Sequence, residues 1–165
     1  MLHALRSPYA PTQHAAAWAV KYMAAHGAHA ANQIAAAGVL PALVALVQSA
    51  ERCSQEAMTA HTAVEEIVAR CALLSPVLTI VKPDTPPDLL AAALQSCLRM
   101  MRDSVAARRE FVTSGALKVL QHLAPCLDRP GQDTAQALNS LFPVPVVEYY
   151  RQQGAPSGAA PVLAS

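Results

Sequence analysis

The chain has 165 residues, with 12 basic and 11 acidic side chains, a formal net charge of +1 and 53% hydrophobic residues; it reads as one compact domain or one segment of a larger array, not a disordered tail. With only 14% of residues charged, no strong positive field is present, so neither nucleic acid nor an anionic membrane is an expected partner. Aromatics supply 4% of the chain and alanine 35 of its 165 positions, a composition typical of closely packed helices, and the expected class is all-α.

Arg6, Ser7, Pro8 and Pro11 stand where a signal peptide would carry its apolar stretch, which makes the cytoplasm the expected compartment. The first helix is predicted over Gln13 to Ala25, with Ala16, Trp18, Ala19, Val20 and Met23 on a broad apolar face and Gly27 placed to end it in a left-handed conformation. No polar cap precedes this helix, so it resembles the interior of a repeat array. His26 and His29, with His14 nearby, form the closest histidine group, but Gly27 interrupts the helix and no carboxylate lies before residue 51; a polar corner between helices is expected, and no metal site.

Ile34 to Val47 is the longest apolar run, 14 residues containing Gly38 and Pro41, short of the roughly 20 that span a bilayer. It opens a repeat. Gly38, Leu40, Leu43 and Leu46 recur as Gly115, Leu117, Leu120 and Leu123, 77 residues on, with Ile34 matching Phe111 four residues before each glycine. Leu74, Val77 and Ile80 form a degenerate middle copy, at steps of 34 and 43 residues. It lacks the glycine, and Pro83, Pro86 and Pro87 crowd the connection after it. Armadillo and HEAT units recur about every 40–47 residues, so one step fits and the other implies a shortened unit. The glycines are expected to supply turn chemistry and also to let two helix backbones approach closely.

Longer helices are predicted over Ser54 to Cys71 and Asp88 to Met101, both with apolar residues at helical spacing, and Thr85 or Asp88 is positioned to accept hydrogen bonds at the start of the latter. Glu65 and Glu66, adjacent and so about 100° apart on a helix, are expected on a solvated face and not as an acid–base pair. Arg99, Arg102, Arg108 and Arg109 form the basic concentration, a candidate contact for an acidic partner or a solvated face balanced by Asp103 and Glu110. Trp18 and Tyr22 are a second candidate contact if exposed, although a tryptophan in an alanine-rich helix more often packs into the core. Cys53, Cys71, Cys97 and Cys126 are too scattered for a disulfide framework or a thiolate zinc site, and reduced, mostly buried thiols are expected. No phosphate-binding glycine loop or nucleophile elbow occurs, so no catalytic residue and no cofactor is assigned.

Beyond Ala124, Pro125, Asp128, Pro130 and Gly131 break the pattern before short helices predicted over Asp133 to Leu141 and Val144 to Gln152. The division read from these features is armadillo-like repeats over 1–125, with a truncated first and a degenerate middle unit, capping helices over 126–152, and a disordered tail over 153–165.

The run Ala15-Ala16-Ala17-Trp18-Ala19-Val20, followed by Ile34 and Gly38-Val39-Leu40-Pro41-Ala42-Leu43-Val44, is similar to an armadillo repeat. Cys71 to Leu78, Ala106 to Lys118 (A-A-R-R-E-F-V-T-S-G-A-L-K), Asn139 to Pro143 and Val147 to Tyr150 together resemble the C-terminal end of the sperm-associated antigen armadillo proteins of the flagellar central pair. The resemblance runs from about Tyr9 to Tyr150. It implies an armadillo-type right-handed α-solenoid of about three partial repeats plus a cap. It further implies a non-enzymatic scaffold in the cytoskeleton of the cilium or flagellum, with axonemal proteins as partners, tubulin's acidic tails among them, and self-association left open. Two departures stand out: the family's further N-terminal repeats are missing here, and Tyr22 stands four residues after Trp18, where peptide-binding nuclear import adaptors often have asparagine. The alternative function is an armadillo adaptor that binds an extended or acidic peptide in the groove of its long helices.

Overall fold

The structure, a computed structural model, describes residues 1–50 and 54–154. Every element among them is helical: α1 (Leu2–Leu5), α2 (Ala10–Ala25), α3 (Ala28–Ala36), α4 (Val39–Ser49), α5 (Gln55–Arg70), α6 (Leu74–Leu78), α7 (Pro87–Arg102), α8 (Val105–Thr113), α9 (Ala116–Leu123), a 3₁₀ turn (Ala124–Cys126), α10 (Arg129–Asn139) and α11 (Val144–Gly154). The tail expected over 153–165 lies outside the described residues from 155 on, as does Cys53.

Local chemistry explains most boundaries. Ser54, Ser104 and Asp128 cap α5, α8 and α10 by accepting from the amides of Ala57, Ala107 and Gly131, satisfying donors that the first helical turn leaves free. The Asp128 cap starts α10 four residues earlier than the breaker cluster suggests, because Pro130 falls in the first turn, where no backbone N–H is needed. Ahead of α7 the expected capping differs: the Thr85 hydroxyl, buried, donates back to the Ile80 carbonyl, while Asp88 accepts from Leu89 inside the first turn.

Gly38 and Gly115 stand at the starts of α4 and α9 in the left-handed region, at φ +75° and φ +80°, where a Cβ is penalised. A Cβ built on either would meet nothing within 4 Å. The expectation that these glycines also relieve a close backbone approach is therefore corrected, since positive φ alone accounts for them. The turn at Gly38 bends α4 by 76° from α3. Gly27 has φ +124° and ψ 179°, outside the left-handed helical conformation expected for it.

The long helices stack in one row: α2 packs on α5, α5 on α7 and α7 on α10, with α4 behind α5 and α11 against α9. Leu40, Leu43, Leu46, Leu74, Val77, Ile80, Leu117, Leu120 and Leu123 are all buried in one core that runs from Leu5 to Leu138. Ile34 and Phe111 are buried at matching places, and the Phe111 ring stacks with Phe142 at 6.0 Å. Polar ties join neighbouring units: Thr59 Oγ1 with His14 Nδ1 at 3.2 Å, the Ala72 amide donating to Asn32 Oδ1 at 2.8 Å, and Gln121 donating to Asn139 Oδ1 at 2.7 Å. Cys71 and Cys97 are buried free thiols, and burial pushes Cys97 up to about 12, whereas Cys126 is exposed. No single helix among the described residues is long and apolar enough to cross a membrane.

Candidate functional site

The outer face of the helix row carries the aromatic candidates. On α2 the buried residues are Ala16, Ala17, Val20 and Ala24; these small side chains let α5 approach closely and turn the large ones outward. Trp18 and Tyr22 are 52% and 50% exposed, with ring centroids 4.1 Å apart. They are one helical turn apart, the spacing that brings side chains into contact on a helix surface. The core placement weighed for Trp18 is therefore corrected.

Two contacts give the sense in which α2 lies against α5. His14 meets Thr59, and Asn32, beyond the end of α2, meets Ala72, beyond the end of α5. The two helices thus run parallel. Glu65 is half-exposed and lies 3.5 Å from His61 Nδ1, whose other ring nitrogen is 2.5 Å from Asp88 of α7. Glu66 pairs with Arg70 at 2.5 Å. Burial raises the Asp88 pKa, but the hydrogen bonds from His61 and Leu89 and the charge on His61 outweigh it, and the carboxyl is held below its ordinary value.

The four arginines do different things. Arg99 donates to the carbonyls of Val68 and Cys71 at 3.1 Å each, to the Ala69 carbonyl and to Ser96 Oγ, closing the C-terminus of α5 where cations are favoured. Arg108 does the same for α7 through the carbonyls of Met101 and Arg102. Arg102 and Arg109 are exposed and form no ion pair among the described residues, with Asp103 and Glu110 included. An open groove of about 370 Å³ runs between α5 and α7, with Glu65, Gln95 and Arg99 on its walls. No group of three or more His, Cys, Asp or Glu is placed to hold a metal among the described residues.

No protein-family model matches the chain. Human sperm-associated antigen 6 is 32% identical over 139 residues, covering 82% of this chain and 26% of that protein, and the mouse protein is 31% identical over 139 residues, covering 82% and 27%. The chain is homologous over most of its length to the sperm-associated antigen 6 armadillo proteins. It spans about a quarter of the length of these relatives. Among solved structures, a designed armadillo repeat protein superposes with a TM-score of 0.55 at 17% identity, covering 93% of this chain and 68% of that one. Another, solved in complex with the peptide (KR)4, gives 0.57 at 16%, with 93% and 68% covered. An engineered protein gives 0.54 at 19%, with 93% and 66% covered. At such identities the likeness establishes the armadillo fold.

Within this armadillo fold the side chains missed by sequence reasoning are His61 and Asp88, which join α5 to α7. The His61–Glu65 spacing of four was legible as a helical pair, but Asp88 lies 27 residues away and only packing brings it within reach. The capping roles of Arg99 and Arg108 were invisible for the same reason, since their acceptors are backbone atoms at the ends of other helical turns.

Proposed function

We propose that this chain is part of a non-enzymatic scaffold of the axonemal central apparatus, supporting the stability of the central pair and the motility of cilia or flagella. The observation that carries this reading is the 32% identity to human sperm-associated antigen 6 over 139 residues. The motif run from Ala106 to Lys118, with Asn139 to Pro143 and the Tyr149-Tyr150 pair behind it, supports assignment to the C-terminal end of such an array. In this reading 1–125 are armadillo repeats and 126–152 cap them, and the partners are axonemal proteins, with tubulin among the candidates. A fluorescently tagged chain expressed in a ciliated cell should concentrate in the axoneme, and its loss should disturb beating. A diffuse cytoplasmic signal together with normal beating after loss would refute the proposal.

A second reading is favoured by the exposed Trp18–Tyr22 stack on the row of long helices: a groove for an extended peptide. A designed protein of the same fold was solved in complex with the peptide (KR)4. The two readings are compatible, since a scaffold needs such surfaces.

A further inference from the structure

We infer that the junction of α5 and α7 is a proton-sensitive latch: a proton on His61 Nδ1 holds the Glu65 carboxylate against α5, and loss of that proton releases the carboxylate into the groove between the two helices. His61 Nε2 lies 2.5 Å from Asp88 Oδ2. Asp88 is ionised at neutral pH, its carboxyl being held below the ordinary value of 3.8, and an ionised carboxylate only accepts. Nε2 therefore carries a hydrogen in both states of the ring, and α7 fixes the tautomer. The proton that the ring gains and loses is then the one on Nδ1. That nitrogen is 3.5 Å from Glu65 Oε2, one helical turn along α5. With the proton present, the ring is a cation between two carboxylates, one from each helix. Without it, Nδ1 turns a lone pair toward Glu65 and the attraction ends, while the hydrogen bond to Asp88 remains.

Glu65 has room to respond, since its side chain is 51% exposed and lines the open groove with Gln95 and Arg99. The other groups on the elements packed against α5 leave this pair to itself. On α5, Glu66 is paired with Arg70, and Glu56 lies at the Ser54 cap. From α2 come His14, Lys21 and Tyr22, from α3 His29, and from α4 no titratable or charged side chain. From α7, Cys97 is buried, Arg99 faces the carbonyls at the end of α5, and Arg102 is exposed. Among the described residues none of these forms an ion pair with His61 or Glu65. The neighbouring junction is built differently. Where α2 meets α5, His14 Nδ1 is 3.2 Å from Thr59 Oγ1, and a hydroxyl donates or accepts as the ring requires. That hydrogen bond survives either state of His14, so the proton acts at one step of the row and spares the step before it.

Urea denaturation of the full chain at about pH 5 and about pH 8 tests the latch, because histidine changes charge between them. Glu65→Gln should raise the unfolding constant about two- to fivefold at the lower pH, where the ion pair one turn apart exists, and leave it unchanged at the higher. In a His61→Gln background the effect at the lower pH should vanish. Glu65 is exposed and His61 partly buried, and circular dichroism will confirm that the variants fold. Nuclear magnetic resonance of the parent chain reads the same event without a substitution. The Glu65 carboxylate carbon should step together with the His61 ring, and at about pH 8 the ring nitrogen shifts should place the remaining hydrogen on Nε2. An equal cost of Glu65→Gln at both pH values, or a cost that persists without His61, would overturn the latch. So would a Glu65 resonance that ignores the His61 step, or a neutral ring with its hydrogen on Nδ1.

Discussion

Two glycines in this chain resist replacement for opposite reasons, and substituting them separates backbone conformation from packing. Gly115 has φ +80°, and an added Cβ would have nothing within 4 Å. The cost of Gly115→Ala is then the left-handed penalty alone, about 1–2 kcal/mol, partly offset by about 0.4–1 kcal/mol from the lost freedom of the unfolded chain. The net expectation is about 1 kcal/mol, and Gly115→Asn should cost less, because asparagine tolerates this conformation. Gly131 is not at positive φ, but its Cβ would sit 2.8 Å from Asp128 Oδ1 and 2.9 Å from Leu127 Cβ. That oxygen accepts the Gly131 amide and starts α10, so the cap moves, at about 1 kcal/mol. Leu127 Cβ is anchored to the backbone, so crowding adds about 1–3 kcal/mol, against a gain in helix propensity of up to about 1 kcal/mol. Gly131→Asn should therefore be worse than Gly131→Ala, the reverse of the order at Gly115. Urea denaturation followed by far-UV circular dichroism, with unchanged m-values, measures both series. A cost above about 3 kcal/mol for Gly115→Ala, or the same Ala-to-Asn order at both positions, would refute the assignment of positive φ as the sole requirement at Gly115.

Two further outcomes test the packing and the inter-unit ties. Leu120 is fully buried beneath the second leucine repeat, and Leu120→Ala should lower stability by about 2–5 kcal/mol in the same denaturation assay; a change within error would mean that the repeat does not form a shared core. Asp88 has a folded pKa below its ordinary value of 3.8, so its contribution is complete above that value and is lost as pH falls through the lower folded one. Because its side chain is 62% exposed, the effect should be under about 1 kcal/mol. The denaturation midpoint of Asp88→Asn should fall less steeply than that of the parent chain below about pH 4, and parallel curves would show that the His61 contact contributes nothing.

Much of the fold was legible because it depends on local pattern. Leucine at three-residue spacing after a glycine specifies a buried helix face and a left-handed turn whatever surrounds it, and both copies behave so. The breaker cluster before α10 was harder to read, since the same Asp128 and Pro130 that break one helix can begin the next. The candidate site was less legible than the core. Its arginines divide between helix caps and free surface, and that division depends on which carbonyls lie within reach.

Sequence alone determined that this chain is helical and repetitive, because helix periodicity, glycine conformation and leucine burial are properties of short segments; its armadillo type was legible only through the resemblance of its motifs to a known family. Tertiary structure decided which side of α2 faces outward. The apolar face read from Ala16, Trp18, Ala19, Val20 and Met23 did not fix the inner side, since alanine occurs around the whole helix and Trp18 and Met23 lie exposed. Close packing against α5 selects the small residues Ala16, Ala17, Val20 and Ala24 for the interior and leaves Trp18 and Tyr22 at the surface.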